Sequence, residues 1–506
     1  YHNWNLAAIR GGVPWGTDSL LVYGNIGIWL TDNSFSAFSD LNSGFPDGID
    51  NRKVASVSVD PVTGIHAGTL FGLYRFDPDG RRWDKVPMPV NEERIVKVLA
   101  KGDSLLVMTR SHLLVSRIHD TGLALQNREE PSPGVEGSTS PEALTGSVFT
   151  VIRVPAGAGD DGKTGLFKTL WVIHSGEIYG LAGKLMVDAV GVIFIILCIT
   201  GLIYFFVPYR LKKLRDGIGR SRLKRFNRNT LRWHNTLGSW TILLLILTTL
   251  TGMFLRPPLL IPIANARVGK IPYTELADPN PWFDRFRDLL WDDTGTRWLV
   301  ATSEGIYQAD PGFSTHLMPF PVQPPVSVMG INLFQQVDPF RFLIGSFSGI
   351  FLWEPQTGRI TDYFTKMPYR STGRGTPFGE ISVAGYLNPT PGPSPSGKHP
   401  TPKRKGSFPL FRHPDIQDLG NNEVLFDYMS GAIYLFRDKW FPPMPEEMIS
   451  KSPISLWSVA LEIHTCRIFE PLLGAWYILV VPLVGLFTLE ISIVGFLVWW
   501  RSGRRK

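Results

Sequence analysis

Three histidines stand where long apolar runs begin: His174 in "WVIHSGEIYG", His234 in "LRWHNTLGSW" and His464 in "LEIHTCRIFEPLLG". His174 lies thirty-three residues before Val207 and His464 thirty-six before Trp500, so the two stand at nearly the same height above the far ends of their runs. A level pair of neutral imidazoles facing across a helical bundle is the usual way to hold the iron of haem b. His234 stands at the opposite end. Gly176, Gly180 and Gly183 remove side chains along one side of a helix, which admits a flat macrocycle or a neighbouring helix. The bland alternative is an interfacial histidine that only anchors its helix, beside a glycine spacing that serves only helix packing. Lys184 and Asp188, four residues apart, read as an ion pair, with Lys184 as a candidate partner of a haem propionate. Arg467, beside His464, is a candidate partner of a propionate or of an anionic chelate. Glu490 is an acid deep in an apolar run, a site for proton uptake, quinol contact or a polar contact between helices. Cys198 and Cys466 are too few for a disulfide framework, and no zinc spacing exists.

The elements that carry these residues are membrane spans. Residues 189–207 and 237–255 contain no charge, and residues 472–500 contain only Glu490, so each run can cross roughly 30 Å of hydrocarbon at about 1.5 Å per residue. Ten Lys or Arg lie between Arg210 and Arg232 with the single acid Asp216, and the chain ends in "RSGRRK". Positive charge near span ends stays in the cytoplasm, so the loop 208–233 and the C-terminus are expected inside, and the long segments outside. The net charge of +7 therefore describes topology and not a nucleic-acid partner. Because residue 1 is not methionine, either a cleaved signal sequence or an upstream helix is expected, and the histidines favour a helix.

The outer segments repeat each other. "VDPVTGIHAGTLFGLYRFDPDGRRWDKVPMP" from Val59 and "WDDTGTRWLVATSEGIYQADPGFSTHLMPFP" from Trp291 share an acidic turn, a short strand, "G-[LI]-Y", an Asp-Pro turn and a closing strand. With Gly27, Gly72 and Leu113 as marks the step is about 40 to 45 residues, and Gly305 to Gly349 gives the same step. Such a period with several short strands is the sign of a β-propeller, and these units resemble the propeller repeats of two-component regulators. The expected fold class is thus a membrane protein with an α-helical bundle and an extracytoplasmic all-β domain, a six-bladed propeller built from two segments. The alternative is two separate β-rich domains. The boundaries expected are repeats over 1–125, a linker over 126–169, two spans over 170–256, repeats over 257–455 and a last span over 456–506. Residues 388–414, rich in Pro, Ser, Gly and Lys, are expected to be a disordered insertion, which makes His399 and His413 poor ligand candidates.

The three spans with their flanks, "HSGEIYGLAGKLMVDAVGVIFIILCITGLIYFF", "LRWHNTLGSWTILLLILTTLTGMFL" and "HTCRIFEPLLGAWYILVVPLVGLFTLEISIVGFLVWW", resemble the PepSY-associated transmembrane family, including the pairs Thr200-Gly201 and Thr251-Gly252. That resemblance covers about 100 of 506 residues. It implies at least four helices, the first with a histidine that would serve His234, and hence one or two haems b in a bacterial inner-membrane protein. Some members reduce ferric siderophores in the periplasm. Two features depart from the pattern: the outer segments look like propeller repeats and not the small α/β PepSY module, and Cys466 stands where a small residue such as glycine is expected.

A reductase needs a donor, and a loop of some twenty-five residues is too small for a nicotinamide or flavin domain. No Gly-x-Gly-x-x-Gly follows a strand, so the expected donor is membrane quinol or a separate protein. The expected acceptor is a ferric chelate or siderophore, since ferrous iron is held less tightly by hard oxygen ligands. No protein group is expected to act as a catalytic acid, base or nucleophile. The competing class is a membrane-anchored propeller that binds or senses a ligand without catalysis; the sequence fixes no oligomeric state.

Overall fold

The computed structural model describes residues 4, 9–16, 18–117, 149–215, 217–327, 329–369, 381–388, 423–428, 431–435 and 441–503. The chain divides into a β-rich unit, Tyr1–Asp160 with Pro279–Ser458, and a helical unit, Asp161–Asp278 with Val459–Lys506.

The β-rich unit is built from six antiparallel sheets, five with four strands and the last with three among the described residues. Their first strands are Ile9–Trp15, Val54–Asp60, Ile95–Lys101, Phe286–Asp292, Ile331–Asp338 and Val383–Leu387. Each packs beside the next in chain order, and the sixth packs beside the first. The residues that mark the sequence period, Gly27, Gly72, Leu113, Gly305 and Gly349, each begin the third strand of a sheet. The preceding turn explains why glycine recurs there. Thr69 donates its hydroxyl to the Gly72 carbonyl at 2.9 Å and accepts the Phe71 N–H at 3.1 Å. Thr302 makes the same pair of bonds to Gly305 and Glu304, at 2.7 and 3.1 Å. Closing so tight a turn holds Gly72 at φ 134° and Gly305 at φ 142°, where a Cβ would be strained.

Every first strand also carries a bulge next to its start. Register shifts between Ile9 and Gly11, Val54 and Ser56, Phe286 and Asp288, Ile331 and Leu333, and Val383 and Gly385; in the third sheet Met108 pairs Lys97 while Thr109 pairs Ile95. One extra residue per strand bends it and re-aims that residue's side chain.

The sheets are joined by buried aromatic residues. Trp83 stacks on Phe45 at 5.5 Å and donates its indole N–H to the Leu41 carbonyl at 2.7 Å. Trp353 meets Phe320 edge-on at 4.8 Å and donates to the Val322 carbonyl at 3.1 Å. Satisfying the indole N–H lets a large ring be buried without a polar penalty.

Two equivalent turns, in the first and fourth sheets, are organised by aspartates. Asp32 accepts the N–H groups of Ser34, Ser36 and Ala37 and the hydroxyls of Ser34 and Ser36. Asp310 does the same with Gly312, Ser314 and Thr315. Burial disfavours both charges, yet the hydrogen bonds win and hold both carboxyls well below the usual range. A depressed folded pKa gives stability that is present above the ordinary value of about 4 and lost as pH falls below it. The double variant Asp32→Asn/Asp310→Asn is therefore expected to melt below the parent at pH 7, with the gap closing toward pH 3 in a thermal scan.

In the helical unit, α1 (Leu166–Ser175), α2 (Gly180–Lys213), α3 (Ile218–Met253), α4 (Leu456–His464) and α5 (Val480–Gly503) follow in chain order. Three stretches are long and apolar enough to cross a membrane: Glu177–Lys213, Ile218–Met253 and Trp476–Arg501. Their surfaces expose residues such as Leu181, Phe205, Leu243 and Ile491, as lipid contact requires. The chain is thus a membrane protein with a large β-rich unit.

Several expected boundaries shift. The basic segment 208–233 is mostly helix, because Lys and Arg are good helix formers and extend α2 to Lys213 and start α3 at Ile218. Thr150–Ile152, expected in the linker, is the fourth strand of the third sheet. Lys163–Gly165 pairs with Arg267–Gly269, which draws residues 161–169 and 257–278 into the helical unit. The remainder of the linker, 126–148, and 389–414 of the expected insertion, with His399 and His413, lie outside the described residues.

Candidate functional site: paired imidazoles in the helical unit

His174 is the penultimate residue of α1 and His464 the last of α4, and their rings face each other with centroids 5.9 Å apart and planes inclined at 39°. The two helices end alike. Two residues after His174, Gly176 is left-handed at φ 78°; two residues after His464, Cys466 is left-handed at φ 59°. A 3-10 turn follows each, Glu177–Tyr179 and Arg467–Phe469. Gly180 (φ 59°, ψ −139°) and Gly474 (φ 54°, ψ −141°) then turn the chain toward the spans. The sequence counterpart is His-[Ser/Thr]-[Gly/Cys]-x-Ile-[Tyr/Phe], present twice.

This corrects the reading of the glycines. Gly176 and Gly180 do not clear one side of a continuous helix, because the helix breaks at them. A Cβ on Gly176 would collide with the Gly183 carbonyl, and one on Gly183 with the Gly176 carbonyl, so the break is packed backbone on backbone. Cys466 holds the same left-handed position without the freedom of glycine, which is why a small residue is expected there. Left-handed backbone costs a non-glycine residue about 1–2 kcal/mol, and glycine gives back up to about 1 through its looser unfolded chain. Cys466→Gly is therefore expected to leave the melting temperature unchanged or raise it, while Gly176→Val lowers it sharply.

His174 and His234 are each oriented by the neighbouring helix. The Nδ1 of His174 lies 2.9 Å from the Thr248 carbonyl oxygen, which can only accept, so Nδ1 donates and Nε2 keeps its lone pair. The Nδ1 of His234 lies 2.8 Å from Thr200 Oγ1. That hydroxyl's one proton goes to the Ile196 carbonyl at 2.7 Å, so it accepts from Nδ1–H, and Nε2 of His234 is again a lone pair. Among the described residues His464 makes no hydrogen bond; its ring contact is with His174. The Thr-Gly pairs now have a local role. His174 packs over Gly252, where a Cβ would come within 2.7 Å of its Cε1, and Gly201 faces His234, where a Cβ would stand 3.7 Å from its Cε1. Thr248 is the residue that sequence reading passed over; its position one turn before Gly252 was the available signal.

The charged neighbours arrange themselves differently from the sequence expectation. Lys184 pairs with Glu177 at 3.2 Å and not with Asp188, which is exposed, because the 3-10 turn folds Glu177 back along α2. Arg467 is buried, with Nη1 3.4 Å from Glu462 Oε1 and Nε 3.6 Å from Glu470 Oε2. Its guanidinium thus holds the two carboxylates around the α4 turn together. Burial raises the Glu462 carboxyl above its ordinary range, against the pull of Arg467 and Arg256. Glu490 is exposed on α5, and Cys198 and Cys466 are both free thiols. No group of three or more His, Cys, Asp or Glu converges among the described residues, so the donors on offer are the imidazoles.

Comparison with known proteins follows the same residues. No curated protein matches the chain. Two solved structures of the extracellular domain of BT4673 from B. thetaiotaomicron, assigned in one to a hybrid two-component system and in the other to a one-component system, are similar at 10% identity. Both have a TM-score of 0.35; they cover 76% and 75% of this chain, which spans only 30% of theirs. The PepSY-associated TM region matches residues 116–502, which takes in all three spans and all three histidines. The chain belongs to the PepSY-associated transmembrane family.

Proposed function

We propose that this is a haem b protein of the bacterial inner membrane that carries electrons from quinol or a separate donor to an acceptor in the periplasm, ferric iron in a siderophore or related chelate. The observation that carries the reading is the hydrogen bonding of His174 and His234. Each donates Nδ1–H to an acceptor on the adjacent helix and so presents Nε2, the arrangement that metal-binding histidines adopt. Haem iron held by two imidazoles exchanges single electrons and needs no open position. His174 and His464 would hold one such group: two iron–nitrogen bonds of about 2 Å plus the ring half-widths need centroids roughly 6 Å apart, and they stand 5.9 Å apart.

Thr248 lies fourteen residues beyond His234 on α3, roughly 21 Å at about 1.5 Å per residue. The two histidine sites thus lie toward opposite ends of the spans, with His234 nearer the basic end that remains in the cytoplasm. His234 would hold a second haem with a ligand not yet identified. The β-rich unit is then periplasmic, and its six sheets, with neighbouring first strands that return to their start, are the blades of one six-bladed propeller. The protein's own groups fix ring orientation through Thr248 and Thr200, and supply no acid, base or nucleophile. One electron per ferric ion suffices, because ferrous iron leaves hard oxygen ligands more readily.

The test uses the purified full chain in detergent, reduced and freed of excess reductant, then mixed with ferric citrate or a ferric hydroxamate in the presence of a ferrous-specific chromogenic chelator. Reoxidation of the protein matched by an equal amount of captured ferrous iron is expected. A reduced protein that stays reduced with every ferric chelate would sink the reading.

A further inference from the structure

The first strands of the β-rich unit bring an unbalanced set of cations together. Arg10 and Arg287 are the bulge residues of the first and fourth sheets, and Arg94 immediately precedes the third. Arg10 feels Tyr23 of its own sheet and then the charge of Asp288, which belongs to a sheet three steps away in either direction among the six, so the two sheets bring these side chains within electrostatic reach. Arg94 in turn feels Arg110 and Arg10, and Arg287 feels Arg110 and Arg94.

The acids nearby are already committed. Asp288 pairs with Lys97 at 2.8 Å, and Asp284 with Arg110 at 2.6 Å. Glu92 accepts the Thr109 hydroxyl at 2.6 Å and the Ser111 N–H at 3.0 Å. Arg287 gives one Nη to the Asp284 and Phe286 carbonyls, while its buried Nε finds no partner. Arg10 and Arg94 make no hydrogen bond or ion pair with any described residue. Asp284, Glu92 and Asp288 lend these guanidinium groups some attraction, but three acids shared among Arg10, Arg94, Arg110, Arg287 and Lys97 leave positive charge unanswered, which is costly unless something else answers it. Burial first, and then the neighbouring arginines, pull Arg287 down to about 9 and Arg94 to about 10.

We propose that Arg10, Arg94 and Arg287 form an anion site at the centre of the β-rich unit, for a compact ligand bearing two or more carboxylate or phosphate oxygens. Planar guanidinium forks match either oxyanion in bidentate fashion, and three forks from different sheets suit a small multiply charged ligand better than a single carboxylate. Gly385 lets the sixth sheet's first strand pack directly against the Ile9–Arg10 backbone, and Gly11 makes room for the Tyr23 ring, so the first strands approach closely where Arg10 stands. The place at the centre rests on the ring reading above; the charge cluster rests on the bulge positions, the unpartnered Nε of Arg287 and the charges these groups feel, and neither needs haem.

Titration calorimetry on the full chain in detergent tests this, with citrate, inorganic phosphate and, as a monoanion control, acetate. One-to-one binding of citrate or phosphate is expected, and whichever binds identifies the oxyanion. Affinity should weaken at least tenfold in Arg94→Gln and in Arg10→Gln, fall with added salt, and persist in His464→Ala. Without ligand, both arginine variants should melt at or above the parent temperature, because each removes repulsion; that reading separates a lost site from a lost fold. Absence of binding by both multivalent anions at millimolar concentration, or unchanged affinity in both stable variants, overturns the proposal.

Discussion

Gly252→Leu is expected to remove about half of the bound haem although it deletes no ligand. A Cβ at position 252 would stand 2.7 Å from His174 Cε1 and 3.0 Å from Nδ1, distances that side chains do not adopt. The ring cannot give way cheaply, because Nδ1 is tied to Thr248 on the same helix as the intruding side chain. Overpacking of this kind costs typically about 1–3 kcal/mol when the neighbour yields, and the only yielding direction carries the imidazole away from His464. Absorbance of reduced protein, normalised to chain concentration, gives the haem content. Gly201→Ala is the matched control: its Cβ would meet His234 at 3.7 Å, ordinary contact, and full haem content is expected.

The second large effect belongs to the other end of α3. His234→Ala is expected to remove the remaining half of the haem and to abolish reduction of an external ferric chelate by quinol, while the site at His174 and His464 keeps its spectrum. Thr200→Val is the graded version. It keeps the imidazole but deletes the acceptor of its Nδ1–H, and loss of such an orienting partner typically costs about 10- to 100-fold in metal affinity. Haem titration of the apo-variant measures that ratio. Equal haem affinity in Thr200→Val and the parent would mean that the hydroxyl does not orient a ligand.

Much of this organisation can be read in the residues because the physical causes are local. Uncharged runs long enough for hydrocarbon specify the spans, and a glycine at positive φ, demanded by the preceding tight turn, marks the start of the third strand in every sheet but the third, where Leu113 stands. The level placement of His174 and His464 is legible for the same reason: both precede a span by a similar length of chain. What is not legible depends on partners distant in sequence. Gly176 and Gly183 read as a helix face, and only the backbone contact between them reveals a break. Lys184 has Asp188 at an ideal helical spacing, yet the turn at Gly180 offers Glu177 instead. The role of Thr248, and the approach of Arg10 to charges of the third and fourth sheets, exist only after the chain has folded.

The pairing of His174 with His464 is tested most directly by oxidised and reduced optical spectra of the full chain beside His174→Ala and His464→Ala, all expressed with adequate haem supply. Sharp reduced bands in the parent, and loss of the same half of them in each variant, are expected. A colourless parent, or variants that retain the full spectrum, would contradict the pairing and leave a β-rich unit on a membrane anchor.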